Sequence, residues 1–304
     1  MDDQIRELER SVKGKALRSA RLSDYTTYRT GGEAELLIEP SDEEDLIAAI
    51  RHAHSADLPL TILGAGSNVI APDAGISGVV IVTRGCIDSI GFLTGDIVRA
   101  GAGVMLDDLI DATADRGLKG LEELAGIPGT VGGAIVMNAG TRSAEISDHL
   151  SGLVVLNGSG LRMELDPAEL GFGYRSSKLQ GSEWLVVSAD FSLQPGDSAA
   201  LRERAAIIRD SRRERYPWDL PNAGSVFKHP PGHNAGRLIE DAGCKGMRSG
   251  GAAVSELHAN FIVNEGGASS SEIMDLICRV RARVRDRSGI SLELEQIPLT
   301  GAKE

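Results

Sequence analysis

A chain of 304 residues has room for two or three domains and a sizeable core. Its 41% hydrophobic and 25% charged residues are the proportions of a soluble globular protein. The net charge of −12 disfavours non-specific binding to nucleic acid or an anionic membrane, but not an anionic small molecule, because a few local Arg and Lys outweigh the global field.

Residues 1 to 20 read as a short charged helix, loosely attached. Ala34 to Glu39 is a strand ending at Pro40, and Ser41 with Glu44 forms a capping box for a helix carrying Leu46, Ile47 and Ile50 on one face. His52 and His54 are two apart on that helix and point to different sides, so a metal pair is not expected. Leu60 to Leu63 is a short buried strand running into Gly64-Ala65-Gly66-Ser67-Asn68. A dinucleotide-fold reading fails here, because the third glycine position falls at Val69 and Pro72 interrupts the helix that should follow. Strands are expected at Gly78 to Val82, Ile87 to Phe92 and Ile97 to Ala100, then a helix from about Leu106 to Arg116 stopped by Gly117. Further strands follow at Gly152 to Leu156, Arg162 to Leu165 and Trp184 to Leu193, giving an α+β first half.

The composition shifts near Pro195-Gly196-Asp197. A charged helix runs from about Ala199 to Arg215, with Arg209, Arg212, Arg213 and Arg215 near its end. Cations there suit the helix dipole, so a solvated end is favoured over a nucleic-acid patch, although one or two could reach a substrate phosphate. Residues 221 to 265 are turn-rich. The last helix opens with a capping box, Ser269 and Glu272, buries Ile273, Leu276, Ile277, Val280 and Val284, and stops before Gly289. Ile290 to Ile297 alternates and is expected to be a strand with Glu293 and Glu295 on one face.

The stretch around which the chain is organised is Ala125 to Gly140, five of whose sixteen residues are glycine and none charged. The N–H groups of Gly129 to Gly133 could converge on an anion, usually a phosphate; the alternative is a buried tight turn between packed elements. The second glycine turn at Gly64 to Asn68 favours a phosphate-bearing cofactor held between two loops. Three groups carry candidate chemistry. In Phe172 to Lys178, Tyr174 and Arg175 could hold a carboxylate, or the segment is an ordinary surface loop. In Pro221 to Pro230, Gly224 gives Ser225 room, and Lys228 adds a cation; no nucleophile elbow is present, but a serine donating a proton to a carbanion needs only position. His229 and His233 are separated by Pro230, Pro231 and Gly232, which excludes a helical metal pair. The third is Glu295, which as an active-site acid needs a raised pKa or an anionic substrate nearby. Cys86, Cys244 and Cys278 lie far apart without C-x-x-C, so neither a disulfide framework nor a zinc site is expected. With no signal-like h-region and no apolar run approaching ~18 residues, a cytoplasmic protein is expected.

Taken in order, Thr27-Tyr28-Arg29-Thr30-Gly31-Gly32, Leu63 to Asn68, Gly126 to Gly133, Gly173-Tyr174-Arg175, Gly224 to Lys228, Ala235 to Glu240 and Leu292-x-x-Glu295 make the chain resemble the UDP-N-acetylenolpyruvoylglucosamine reductase (MurB) family over almost its whole length, from Tyr25 to about Gly301. The length is similar to the shorter class, without the tyrosine-loop insertion. The resemblance implies an α+β fold: a two-subdomain FAD-binding region of the PCMH or vanillyl-alcohol-oxidase type at 23–194 (about 23–84 and 85–194) and a C-terminal α+β substrate-binding domain at 199–304, whose final strand returns to the active site. Residues 1–22 would be an N-terminal helical segment. It implies non-covalent FAD, NADPH as electron donor, and reduction of UDP-N-acetylglucosamine enolpyruvate to UDP-N-acetylmuramate for peptidoglycan synthesis, and hence for cell shape and division. By the same resemblance Arg175, Ser225 and Glu295 are catalytic. Arg29, Gly64, Gly66, Ser67, Asn68, Gly126, Pro128, Gly129, Thr130, Gly132 and Gly133 bind the cofactor. Tyr174, Lys228 and His229 hold the nucleotide sugar, His229 standing where many relatives have Asn. A monomer with small-molecule partners, no nucleic acid, no membrane and no metal is expected. The rival readings are another flavin oxidoreductase of the same cofactor fold and a non-catalytic nucleotide-sugar-binding protein.

Overall fold

The helical and alternating apolar periods are realised as two hydrophobic cores, each in its own unit of a computed structural model that describes residues 2–300. The first unit comprises the chain up to Arg18, Leu36–Ala65 and Gly78–Ser211; the second comprises Ser19–Glu35, Gly66–Ser77 and the chain from Arg212. The units interleave, so neither follows the boundaries expected at residues 22 and 194–199.

In chain order the elements are α1 (Asp2–Ser11), β1 (Lys15–Arg21), β2 (Glu33–Glu39), α2 (Glu43–Ser55), β3 (Leu60–Leu63), β4 (Val69–Ile70), β5 (Ile76–Val82), β6 (Ile90–Phe92), β7 (Ile97–Gly101), α3 (Leu106–Asp115) and β8 (Leu118–Lys119). They continue with α4 (Val131–Val136), β9 (Leu150–Leu156), β10 (Arg162–Leu165), β11 (Leu185–Ser192), β12 (Gln194–Pro195), α5 (Ser198–Arg215), α6 (Ala235–Asp241), β13 (Arg248–Ser249), β14 (Ala252–Val254), β15 (Ile262–Asn264), α7 (Ser270–Ser288) and β16 (Ile297–Pro298).

The expected N-terminal helix ends early, and its second half is a strand. The Asp45 carboxylate accepts the N–H groups of Lys13 (2.9 Å), Gly14 (2.8 Å) and Ser41 (3.0 Å), which fixes a turn after α1 and sends residues 15–21 into the sheet as β1. Burial works against that charge, but the three N–H donors hold Asp45 below the usual carboxylate range. Nor is α1 loose, since Ile5 and Leu8 are fully buried. The cap of α2 also differs from expectation: Asp42, not Ser41, accepts the Asp45 N–H (2.8 Å), its carboxylate being the stronger acceptor at a helix start.

The four-stranded sheet has the order β1-β2-β5-β3, with β3 parallel to β5. The strand β3 is therefore an edge, and only Leu63 of its four residues is buried. The antiparallel five-stranded sheet β10-β9-β11-β7-β6 packs α4 against β11 and β7. Leu36, Leu46, Leu106, Leu109, Val155 and Phe191 are fully buried in this core, each worth about 1.5–3 kcal/mol of transfer free energy.

In the second unit the sheet β13-β14-β15 packs against α7. The Ser269–Glu272 capping box is present and all five expected apolar residues of α7 are at most 1% exposed. The closing segment is not one continuous strand. Around a single bridge from Leu294 to Phe227, Lys228 N–H donates to Glu293 O and Glu295 N–H donates to Val226 O; then Ile297 N–H changes partner to Asn68 O, and β16 runs parallel to β4. A switch of partner within four residues prevents one ladder from forming. Among the described residues no helix is long and apolar enough to cross a membrane, and no group of three or more His, Cys, Asp or Glu could hold a metal ion.

Candidate active site

In the first unit the two glycine turns meet. A Cβ built on Gly64 would lie 2.5 Å from Thr130 Oγ1, so only a glycine backbone approaches so closely. Thr130 caps α4, accepting the Gly133 N–H at its hydroxyl (3.3 Å). The N–H groups of this loop do not all converge on one centre, as the glycine pattern suggests. Val131 donates to Val104 O (2.8 Å), Gly132 to Ala102 O (2.9 Å) and Gly133 to Thr130, because the segment is stitched to the strand-to-helix connection before α3. A Cβ on Gly132 would meet Ala102 Cβ at 2.8 Å, so that glycine serves packing. The N–H groups of Gly64, Ala65, Gly129 and Thr130 find no partner among the described residues, and Gly129 and Thr130 are buried. Pro128 is exposed at the tip of the loop.

Asp107, in the first turn of α3, anchors the other end of the loop by accepting the Gly126 N–H (2.8 Å). The same carboxylate pairs with Arg209, which also reaches Asp111 at 2.7 Å. Arg209 is therefore a clamp between α5 and α3 and not part of a solvated helix end.

Arg175 sits in the tight Gly173–Ser176 turn with φ +53, a left-handed conformation costing a non-glycine residue about 1–2 kcal/mol. Its guanidinium donates to the carbonyls of Gly140 (2.6 Å) and Asn138 (3.4 Å), and Gln180 Nε2 donates to its own carbonyl (3.0 Å). The arginine is thus locked onto the far end of the glycine-rich stretch, half-buried, with the exposed Tyr174 ring 5.1 Å from its guanidinium carbon. Asn138, fully buried at φ +43, is the hub: its Nδ2 donates to Glu145 (2.7 Å) and to Gly173 O (3.0 Å).

The second unit holds the remaining candidates. Thr27 donates to Gly66 O from both its N–H and its hydroxyl (3.1 and 3.3 Å), which joins the Thr27-to-Gly32 motif to the Gly66-Ser67-Asn68 turn. Arg29 follows with an exposed side chain and a left-handed backbone. Asn68 Nδ2 donates to Glu295 O (3.2 Å), so the glycine turn and the C-terminal segment are one assembly. The cross-strand register places Glu295, half-buried, opposite Val226, the residue that follows Ser225. Glu293 lies outside: its carboxylate is exposed and pairs with Lys228 Nζ at 2.6 Å. The geometry thus separates the two glutamates that the spacing alone presents together.

His229 is an exposed residue whose Nδ1 accepts the Ala235 N–H (3.1 Å), which leaves Nε2 as the protonated nitrogen of a neutral ring. Tyr216, Trp218, His258 and Phe261 form an aromatic cluster with centroids 5.0–6.4 Å apart. Burial, and then the neighbouring His229, hold His258 below the ordinary histidine pKa.

Residues 34–166 match the family model described as an FAD binding domain, and residues 216–297 match that of the C-terminal domain of UDP-N-acetylenolpyruvoylglucosamine reductase. The UDP-N-acetylenolpyruvoylglucosamine reductase of Moorella thermoacetica is 46% identical over 95% of both chains. The chain belongs to the UDP-N-acetylenolpyruvoylglucosamine reductase family. A crystal structure of the reductase from Thermus caldophilus superposes with a TM-score of 0.80 at 35% identity, over 95% of this chain and 99% of that one. An alkyldihydroxyacetonephosphate synthase, at 15% identity and TM-score 0.50 over 64% of this chain and 40% of its own, shares the fold alone.

The cofactor of the reductase family's first domain is FAD, and the residues present fit it. Buried N–H groups are rarely left without an acceptor. Those of Gly129 and Thr130, beside those of Gly64 and Ala65, suit the phosphates of a dinucleotide, and glycine, lacking a Cβ, leaves the backbone open to close approach. Sequence reasoning assigns no role to four buried polar residues of this reductase-family chain: Asn138 in the first unit, and Tyr28, Asn260 and Gln296 in the second. The available signal is a polar side chain inside an apolar run, as for Asn138 between Met137 and Ala139.

Proposed function

We infer that the protein is an NADPH-dependent flavoenzyme reducing the enolpyruvyl group of UDP-N-acetylglucosamine enolpyruvate to the lactyl ether, giving UDP-N-acetylmuramate for peptidoglycan synthesis. The observation that carries this reading is the register that pairs the Glu295 segment with the Ser225 segment, Glu295 standing opposite Val226, the residue after Ser225. FAD, when bound, passes the reducing equivalents of NADPH to the vinyl double bond.

The chain's own residues supply position, charge and a proton. Reduction of a vinyl carboxylate builds negative charge on its carboxylate side, and a cation fixed beforehand lowers that barrier most. Arg175 suits the task because two carbonyls and a strained turn fix its guanidinium before substrate arrives. Ser225 Oγ is the proton donor to the carbon next to the carboxylate. Glu295 stabilises the same developing charge by hydrogen bonding. Lys228, held by Glu293, and Tyr174 bind the nucleotide sugar, with His229 offering Nε2–H where relatives often present an Asn amide. Small molecules are the only partners this reading requires, and it takes the chain as a cytoplasmic monomer, which size-exclusion chromatography of the purified protein checks.

The test is anaerobic spectroscopy of the purified protein. Bleaching of a yellow flavin spectrum by NADPH and its return on adding the enolpyruvyl sugar nucleotide is the expected result. Return only with oxygen would replace the reading with an oxidase, and a protein that FAD cannot reconstitute would remove it.

A further inference from the structure

Between buried Ala223 and Val226, the glycine of the turn that presents Ser225 has no side-chain packing of its own. Gly224 has φ +74, and a Cβ placed there would meet nothing within 4 Å. Hydrogen bonds hold it instead. Gly224 N–H donates to Asn222 Oδ1 (3.0 Å), and Asn260 accepts the N–H groups of Val226 (2.9 Å, at its carbonyl) and Phe227 (3.0 Å, at Oδ1). The two peptide groups immediately before Ser225 are held by one side chain. Gln296 Nε2 donates to Ala223 O (3.1 Å) and Gly224 O (3.2 Å), while its Oε1 accepts the Tyr28 hydroxyl (3.0 Å). Gln296 is 2% exposed and Tyr28 fully buried.

We propose that Gln296, oriented by Tyr28, is the positioning residue that holds the Ser225 turn in its proton-donating geometry. The orientation of the amide is determined by its partners: two carbonyls accept only, so the NH2 faces them and the oxygen faces the phenol. Burial pushes the Tyr28 phenol well above its ordinary pKa, so it remains a donor throughout the working pH range. Gln296 also follows Glu295 directly, so a single residue links the turn of the proton donor to the segment that carries the acid. The proposal rests on the reductase reading above, and it assigns a role to a residue that neither binds substrate nor reacts.

The experiment uses the full chain loaded with FAD. In Tyr28→Phe, which keeps the ring, reoxidation of reduced flavin by the enolpyruvyl substrate should slow about 3- to 10-fold, the loss of one buried hydrogen bond. In Gln296→Leu it should slow about 10- to 100-fold, with flavin reduction by NADPH changed less than about twofold in both. The double variant should be no slower than Gln296→Leu, since the tyrosine acts through the amide. Backbone hydrogen exchange over residues 223–227 should rise about tenfold or more in Gln296→Leu and stay unchanged in α7. Equal losses in both half-reactions, additive losses in the double variant, or unchanged exchange at 223–227 would each overturn the proposal. The exchange measurement requires no turnover. A wild-type enzyme that the enolpyruvyl substrate fails to reoxidise would therefore sink the reductase reading while leaving the role of Gln296 in the turn to be decided by exchange.

Discussion

Replacing Gly66 with Ala tests whether the first glycine turn is shaped by close approach. Gly66 has φ +64, and a Cβ there would land on the Tyr25 carbonyl oxygen and 2.9 Å from Thr26 Cα. Both obstacles are backbone, so no rotamer change relieves them. Left-handed strain for alanine costs about 1–2 kcal/mol and forced overpacking about 1–3 kcal/mol, so the sum is about 2–5 kcal/mol. If the turn reshapes, that cost appears as FAD affinity weakened roughly 30- to 4,000-fold; if the strain is retained, it appears as lost stability. Gly95→Ala is the control, because Gly95 has φ +73 but nothing within 4 Å of its Cβ position, so only the first cost applies. Flavin-fluorescence titration and thermal unfolding of both variants read the two channels together. If Gly66→Ala and Gly95→Ala prove indistinguishable in FAD affinity and in melting temperature, the close-approach argument is wrong.

Ser225→Ala should leave reduction by NADPH nearly intact and slow reoxidation by the enolpyruvyl substrate about 100- to 10,000-fold, the range for a lost general acid; stopped-flow showing equal loss in both steps would instead assign Ser225 to binding or folding. Asp107→Ala removes the acceptor of the Gly126 N–H and the partner of Arg209, and should weaken FAD binding about 10- to 100-fold. At saturating FAD its rates should match wild type, and an unchanged dissociation constant would mean that the loop holds its shape without the aspartate. Because His258 is depressed mainly by burial, its stabilising contribution is fully present above the ordinary histidine pKa near 6.5 and declines as pH falls from there toward its lower folded value. His258→Gln should flatten this acid limb in urea denaturation as pH falls below about 6.5, and parallel curves for variant and wild type would refute the assignment.

What the sequence makes legible is what short-range physics decides. Ile273, Leu276, Ile277, Val280 and Val284 declare the buried face of α7 by period alone, and Ser269 and Glu272 declare its start. The candidate residues are visible for a different reason: glycines, Ser225 and Arg175 are unusual where they stand and match an ordered set of family motifs. The misread parts depend on partners distant in sequence. Nothing within residues 1 to 20 reveals that Asp45 will bind the N–H groups of Lys13 and Gly14 and turn the helix into a strand. The glycine loop looks like a nest of free N–H donors until Ala102 and Val104 claim two of them. The two glutamates near the C-terminus look equivalent until Lys228 takes Glu293.

The interleaving of the two units sets a timetable for synthesis. The first unit is complete in sequence at Ser211, but the second contains Ser19–Glu35 and Gly66–Ser77, which leave the ribosome early. Tyr28 and Gln296 are 268 residues apart, so at about 5–20 residues per second the tyrosine waits roughly 13 to 54 s for its amide. Asp73, which accepts the N–H groups of Ser270 and Ser271 at the start of α7, has a similar wait. During that interval an aromatic ring destined for complete burial has no core to enter, which is the kind of exposed apolar surface that favours association. Truncation before Gln296 would remove its amide and β16, leaving the early-made Tyr28 and β4 without these partners.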